Sequence, residues 1–281
     1  MHINLKQIIF TLLIAVVSTP GIFATPAKHT AADTGQIITI NSFDIPQLKR
    51  QRTIYIYLPV GYAASNKKYP VLYLQDGQNI FRSTGVMGKN AWAVDSILNS
   101  MPADKQCIVV GISHGAKYRL TEYNPYDSKY GKQEGIAYVN FLVETLKPYI
   151  DEHYRTRKGA RYTAIAGSSL GALIATYAAY KYPDVYGSAG VFSSAFWIGP
   201  DLYKEIDTHP ATKQSGYYLT VGDVEGSHEA EDVIKMDSTL HAAGYSLKQV
   251  PLTKINPGAK HNEKQWREAF PAFYAWLFKR F

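Results

Sequence analysis

The chain has 281 residues, 46% of them hydrophobic, and a formal net charge of +7. That is enough chain to bury one large core, and too apolar for a disordered protein. Lys and Arg are spread along the sequence rather than clustered, which excludes a nucleic-acid face, and the single cysteine excludes an internal disulfide framework.

The N-terminus reads as a targeting segment. A lysine in "MHINLKQ" precedes the apolar run "IIFTLLIAVV", and "STPGIFA" ends on small residues. This layout predicts a secretory signal peptide over 1–24, with Ala24 or Ala27 at the cleavage point. The apolar run falls short of the about 20 residues a membrane span needs, so no stable membrane insertion is expected after cleavage. No cysteine lies there to carry a lipid anchor. Residues 25–36 read as a flexible leader, and residues 37–281 as the folded domain, periplasmic or secreted.

From residue 37, strands and helices alternate. "IITINSF" and "RTIYIYLP" read as an antiparallel pair, the second with period-two alternation. "PVLYLQ" and "QCIVVGIS" are continuous apolar runs, the pattern of strands buried on both faces, with Cys107 as a small core residue. "AWAVDSILNSM" between them has helical spacing. A long amphipathic helix is predicted over 135–154, then the strand "RYTAIAG" and the helix "LGALIATYAAYKY". "YGSAGVFSSAF" and "GYYLTVGD" continue the strands with a helical stretch between them. "EAEDVIKMDSTLHAAG" is a helix closed by Gly244, "YSLKQVPL" a last strand, and the remainder a terminal helix. This alternation predicts an α/β fold of one domain, a mostly parallel doubly wound sheet flanked by helices. Long irregular stretches at 76–90 and 113–133 are placed to line a site.

Residues 167–171, Gly-Ser-Ser-Leu-Gly, fit G-x-S-x-G with Ser169 central and Ser168 at the variable position. A nucleophile on a tight strand-to-helix turn leaves no room for side chains two residues away, hence the glycines, and the following helix aims its positive end at developing negative charge. A serine needs a base held by a carboxylate, and in doubly wound hydrolases the chain order is Ser, acid, His. His241 lies inside a helix and His209 precedes a proline. His261, between the last strand and the last helix, is where the base belongs, with His228 as its rival. The acid belongs just past "GYYLTVG", where Asp223 and Glu225 both qualify on position. The oxyanion donors are the N–H of Leu170 and, from the loop after the third strand, that of Gln78. No metal-ligand motif, P-loop or dinucleotide glycine fingerprint is present, and neither a cofactor nor a metal is expected.

"YPVLYLQDGQNIF", Trp92 followed by "VD", "VVGIS" with "R…EYNPY", "AGSSLGAL", "SSAFW" and "PGAKHNEKQWREAFP" together resemble the esterase family of α/β-hydrolases that includes esterase D, feruloyl esterase modules and enterochelin-type esterases. The resemblance covers most of residues 37–281. It implies Ser169 as nucleophile, His261 as base, Gln78 and Leu170 as oxyanion donors. It also selects Glu225, three residues after Gly222, over Asp223. Trp92, Arg119, Phe196 and Trp197 fall on loops or element ends on the active-site side and are candidate substrate contacts, with Arg119 and Glu122 a candidate ion pair. The expected partner is a small-molecule or carbohydrate-linked ester. The alternatives are a periplasmic siderophore trilactone, which the basic charge suits, and a non-catalytic binding protein on the same fold.

Overall fold

The computed structural model describes residues 34–84, 88–209, 215–226 and 228–281. The segment read as a signal peptide, most of the leader and Ser227 lie outside these residues.

Eight strands form one sheet: β1 (Gln36–Ile45), β2 (Arg50–Leu58), β3 (Val71–Gln75), β4 (Ile108–Ile112), β5 (Thr163–Ser168), β6 (Ser188–Phe192), β7 (Gly216–Gly222) and β8 (Lys254–Asn256). Their order is β1-β2-β4-β3-β5-β6-β7-β8. β1 and β2 are an antiparallel pair, β2 runs antiparallel to β4, and the rest are parallel. The α/β reading with a mostly parallel sheet is therefore correct. The first strand begins at Gln36, one residue inside the predicted leader.

The strand runs that lack alternation are those covered on both sides. Side chains of successive residues point to opposite faces. Val71 and Tyr73 pack into one core layer, and Leu72 and Leu74 into the other. The first layer holds α3 (Gly135–Phe141) and α4 (Lys147–His153), with α5 (Leu170–Lys181), α6 (Asp201–Thr208) and α7 (Glu229–Ala242). The second holds α1 (Val94–Asn99) and α8 (Glu263–Phe278), and the short α2 (Arg119–Glu122) sits in the loop after β4. Cys107 is a buried core residue whose thiol pKa burial pushes up to about 12.

Two expectations need correction. The helix predicted over 135–154 is interrupted by a π turn at Leu142–Leu146, where the Lys147 N–H reaches back to the Leu142 carbonyl. Pro148 follows, and it has no N–H to continue the α register at Glu144. The last strand is not "YSLKQVPL" but Lys254–Asn256. Ser246 closes a turn: the Ser246 carbonyl accepts from the N–H groups of Gln249 and Val250, and its own N–H and hydroxyl donate to Gln249 Oε1. Pro251 has no donor for a ladder, and Asp237 accepts from the Thr253 N–H at 2.7 Å.

The loop after β4 is fixed by buried charge. Glu122, fully buried, accepts from Arg52 at 2.6 and 2.7 Å and from Arg50 at 2.8 Å, and Arg50 also pairs with Glu134 at 2.6 Å. The expected Arg119–Glu122 pair does not form, because two arginines of β2 already occupy the carboxylate. Breaking such a buried pair costs about 3–5 kcal/mol, so Glu122→Ala should lose that much in chemical denaturation. Hydrogen bonds from Arg50 hold the Glu134 carboxyl below its ordinary 4.5. Its contribution is thus present above about pH 4.5 and lost as pH falls through the lower folded value. Glu134→Gln should flatten the acid limb of a stability–pH curve, and cost less at neutral pH than loss of the fully buried Glu122, because Arg50 and Glu134 are only part-buried.

Candidate active site

The strand order reverses at β3, which lies between β4 and β5. In open parallel sheets the crevice at the carboxyl ends of strands flanking such a reversal is where ligands bind. The loop after β3 (Asp76, Gly77, Gln78) and the turn after β5 (Ser169) both open there.

Ser169 caps α5 with φ 57° and ψ −124°, a conformation costly for a residue with a side chain. Packing imposes it. A Cβ on Gly167 would lie 2.5 Å from the Gly171 backbone, and one on Gly171 would lie 2.9 Å from Gln75 Cβ and 3.0 Å from Asp76 Oδ2. The Ser169 N–H donates to the Phe192 carbonyl at 3.0 Å, and its carbonyl accepts from Ala172, Leu173 and Ala195. Leu170 is the first residue of α5, where helical N–H groups lack an intrahelical acceptor. Gln78 is in the 3₁₀ turn Gly77–Asn79, its side-chain oxygen accepting from the His114 N–H at 3.3 Å.

Glu225 and His261 meet: the imidazole Nδ1 is 2.9 Å from Glu225 Oε2, and the carboxylate side chain is fully buried. The other oxygen, Oε1, accepts from the Gly222 N–H at 2.5 Å and from the Ser193 hydroxyl at 2.6 Å. Trp266 Nε1 donates to Ser193 Oγ at 2.9 Å, and the Gln265 amide lies 3.0 Å from it. The Gln265 atom facing Ser193 is Oε1, so the one hydroxyl proton is shared between two acceptors, Glu225 Oε1 and Gln265 Oε1. The Trp266 ring also stands edge-on to His261, with centroids 5.2 Å apart. No hydrogen bond joins His261 to the Ser169 hydroxyl.

The rivals are elsewhere. Asp223 Oδ1 accepts from the Gly258 N–H at 2.6 Å, clamping the loop that carries His261. His228 is at the start of α7, exposed, 3.6 Å from Glu231. Arg119 binds Asp76 through Nε at 2.7 Å and Nη2 at 2.9 Å. Burial opposes its charge, but the bonds to Asp76 outweigh it and keep the guanidinium above its ordinary value. His114, in the same loop, is pulled below 6.5, chiefly by burial.

The aromatic candidates divide. Trp92 is 4% exposed and packs on Phe192, Trp266 and Phe270, and Phe196 is fully buried against Tyr203. Both are packed into the core, Trp92 in the layer that holds α8 and Phe196 in the opposite layer beside α6. Trp197 is 49% exposed. Ser193 and Trp266 escaped notice in the sequence. Ser193 has φ 47° just past β6, and the doublet at the end of a strand was its one signal.

Sheet order, the reversal at β3 and the strand–turn–helix around Ser169 are those of the α/β-hydrolase class. Residues 45–277 match the family model described as "Putative esterase", and the chain belongs to that family, a carboxylic ester hydrolase. An endo-1,4-beta-xylanase/feruloyl esterase of Xylanibacter ruminicola is 26% identical over 235 residues, spanning 82% of this chain and 30% of that protein. Among solved structures, a ferulic acid esterase has a TM-score of 0.70 at 19% identity, covering 88% of this chain and 100% of that one. The enterobactin esterase of Shigella flexneri gives 0.66 at 17% identity, over 88% and 59%. Among the described residues, no helix is long and apolar enough to cross a membrane, and no three His, Cys, Asp or Glu are grouped to hold a metal ion.

Overpacking typically costs about 1–3 kcal/mol, and more when only backbone can yield. Gly167→Ala should lower the unfolding free energy by at least that much in chemical denaturation, whereas Gly159→Ala, strained in φ but with open space around its Cβ, should cost less.

Proposed function

We propose that the chain is an exported, cofactor-independent serine esterase in which Ser169, His261 and Glu225 form the triad. The observation that carries this is the buried Glu225 bonded to His261 Nδ1, downstream of a serine held in a strained turn. With Nδ1 committed to Glu225, Nε2 is the nitrogen left to act as base.

His261 Nε2 takes the proton from Ser169 Oγ as the oxygen attacks the ester carbonyl. Negative charge develops on the carbonyl oxygen, and the N–H groups of Leu170 and Gln78 receive it. Each such donor contributes about 2.7–4 kcal/mol. His261 then protonates the leaving alcohol, water enters, and the same imidazole activates it against the acyl-enzyme. Glu225 stabilises the imidazolium in both halves, its own position fixed by Gly222 and Ser193. The Ser169–His261 hydrogen bond forms on substrate binding, as free enzymes often hold such pairs apart. Arg119, anchored by Asp76, and Trp197 remain the candidate substrate contacts.

Residues 1–24 act as a signal peptide removed on export, 25–36 as a leader, and 37–281 as the esterase domain, acting in the periplasm or outside the cell on small soluble or carbohydrate-linked esters. A second reading, an anionic siderophore trilactone as substrate, draws on the basic net charge and on the fold shared with the enterobactin esterase.

Ser169→Ala should retain the fold by circular dichroism and lose about 10⁴-fold or more in kcat on p-nitrophenyl acetate. Glu225→Ala should lose about 10³–10⁴-fold, and Asp223→Ala less than about tenfold. Near-native activity of Ser169→Ala would overturn the reading, and the reverse ranking of the two carboxylates would reassign the acid.

A further inference from the structure

An oxyanion hole built from two loops works only if the loops keep their spacing. Leu170 belongs to the elbow and Gln78 to the turn after β3, and Gln75 and Asp76 lie between them. Gln75 ends β3 and is 3% exposed, with its Cβ 3.0 Å from a Cβ placed on Gly167 and 2.9 Å from one on Gly171. Asp76 follows with φ 56°, its Oδ2 3.0 Å from the same point on Gly171. The Asp76 carbonyl accepts from the Asn79 N–H at 2.8 Å, which closes the turn that carries Gln78. A Cβ on Gly77 would lie 2.6 Å from the Gly111 carbonyl carbon, so the turn is wedged between the elbow and β4.

Two fully buried tyrosines hold this wedge from the core. The Tyr138 hydroxyl, on α3, donates to Gln75 Oε1 at 2.5 Å. The Gln75 amide nitrogen is buried without an acceptor, so this is the side chain's one hydrogen bond among the described residues. Tyr123, at the end of α2, accepts from the Asp76 N–H at 3.3 Å through its hydroxyl. The two tyrosine rings are in contact, with centroids 5.2 Å apart. Arg119 closes the outer side, bonded twice to Asp76 and with its guanidinium carbon 5.3 Å from the Tyr123 ring centre. Burial raises both phenols well above their ordinary pKa, so each hydroxyl keeps its proton.

Packing alone needs neither hydroxyl. Phenylalanine would fill the same space without burying a polar group, whereas each hydroxyl here meets a residue that spaces the two loops. We infer that Tyr123 and Tyr138 are positioning residues, fixing the separation of the Gln78 and Leu170 N–H groups through Asp76 and Gln75. This rests on the serine-esterase reading and deepens it with residues outside the triad.

The test reads the oxyanion directly. In a thionoester, sulfur replaces the carbonyl oxygen and accepts hydrogen bonds weakly, so its hydrolysis draws little on the two N–H groups. Tyr123→Phe and Tyr138→Phe are compared with the wild type on p-nitrophenyl acetate and its thionoester. Tyr126→Phe is the control, since that hydroxyl, from the same loop as Tyr123, donates to Glu205 instead. Rates are normalised to the serine labelled to completion by a fluorophosphonate, so loss of folded protein drops out. A misplacement of about 1 Å can cost about 100-fold, and loss of one supporting hydroxyl should cost less. Tyr123→Phe and Tyr138→Phe should each lose about tenfold in kcat on the oxygen ester, with KM within about twofold. Their oxygen-to-sulfur rate ratio should fall about fivefold or more, and Tyr126→Phe should leave it unchanged. Gln75→Met keeps a side chain packed on Gly171 and removes the acceptor of Tyr138. It should repeat the Tyr138→Phe result, and it decides the matter where a tyrosine variant does not fold. Equal losses on the two esters, losses confined to KM, or the same ratio change in Tyr126→Phe overturn the positioning role. If Ser169→Ala keeps wild-type activity, the serine-esterase reading fails. If Ser169 is labelled and required while the ratio stays at its wild-type value, the positioning role alone fails.

Discussion

The backbone contact between Gly167 and Gly171 is the constraint from which the rest of the site follows. With no side chain on either residue, β5 and α5 close to a distance that leaves Ser169 only a positive φ. A turn this tight exposes polar backbone atoms, and the neighbours are arranged to satisfy them. Phe192 at the end of β6 accepts from the Ser169 N–H, and Ala195 donates to its carbonyl. The β6 loop is thereby drawn over the elbow. That loop must turn at once, and Ser193 does so with φ 47°.

Ser193 then links the strained elbow to the charge beyond it. Its hydroxyl donates to Glu225 and accepts from Trp266, so β6, the β7 loop and α8 converge on one oxygen. Glu225 is buried, and an unpaired carboxylate there would be expensive. Donors from Gly222, Ser193 and His261 offset that cost and leave the carboxylate a single orientation. Asp223, two residues earlier, points into the opposing loop and holds Gly258. Adjacent carboxylates thus divide the work: one orients the imidazole, the other fixes the loop that delivers it.

Much of this was legible in the sequence because it rests on local chemistry. Buried strands announce themselves as apolar runs, and the glycines around Ser169 mark a steric demand that no other residue meets. The parts that were not legible depend on contacts between distant segments. Position alone left Asp223 and Glu225 equivalent, since the difference between them is which opposing backbone each one meets. Arg119 was paired with Glu122 by proximity in sequence, whereas β2 brings two arginines to that glutamate and leaves Arg119 to Asp76. Trp92, Phe196 and Trp197 looked alike as loop aromatics, and only packing separates the two that are buried from the one that faces solvent.

The same distinction between local and global governs the charge. A net charge of +7 suggests an anionic ligand, but exposed charges more than about 10 Å apart are largely screened at physiological salt. What a substrate meets at the elbow is set by the groups within that distance. There, Arg119 is neutralised by Asp76. The charge beside the elbow is therefore that of a closed ion pair, Asp76 Oδ2 coming within 3.0 Å of where a Cβ on Gly171 would sit, and not that of the whole chain.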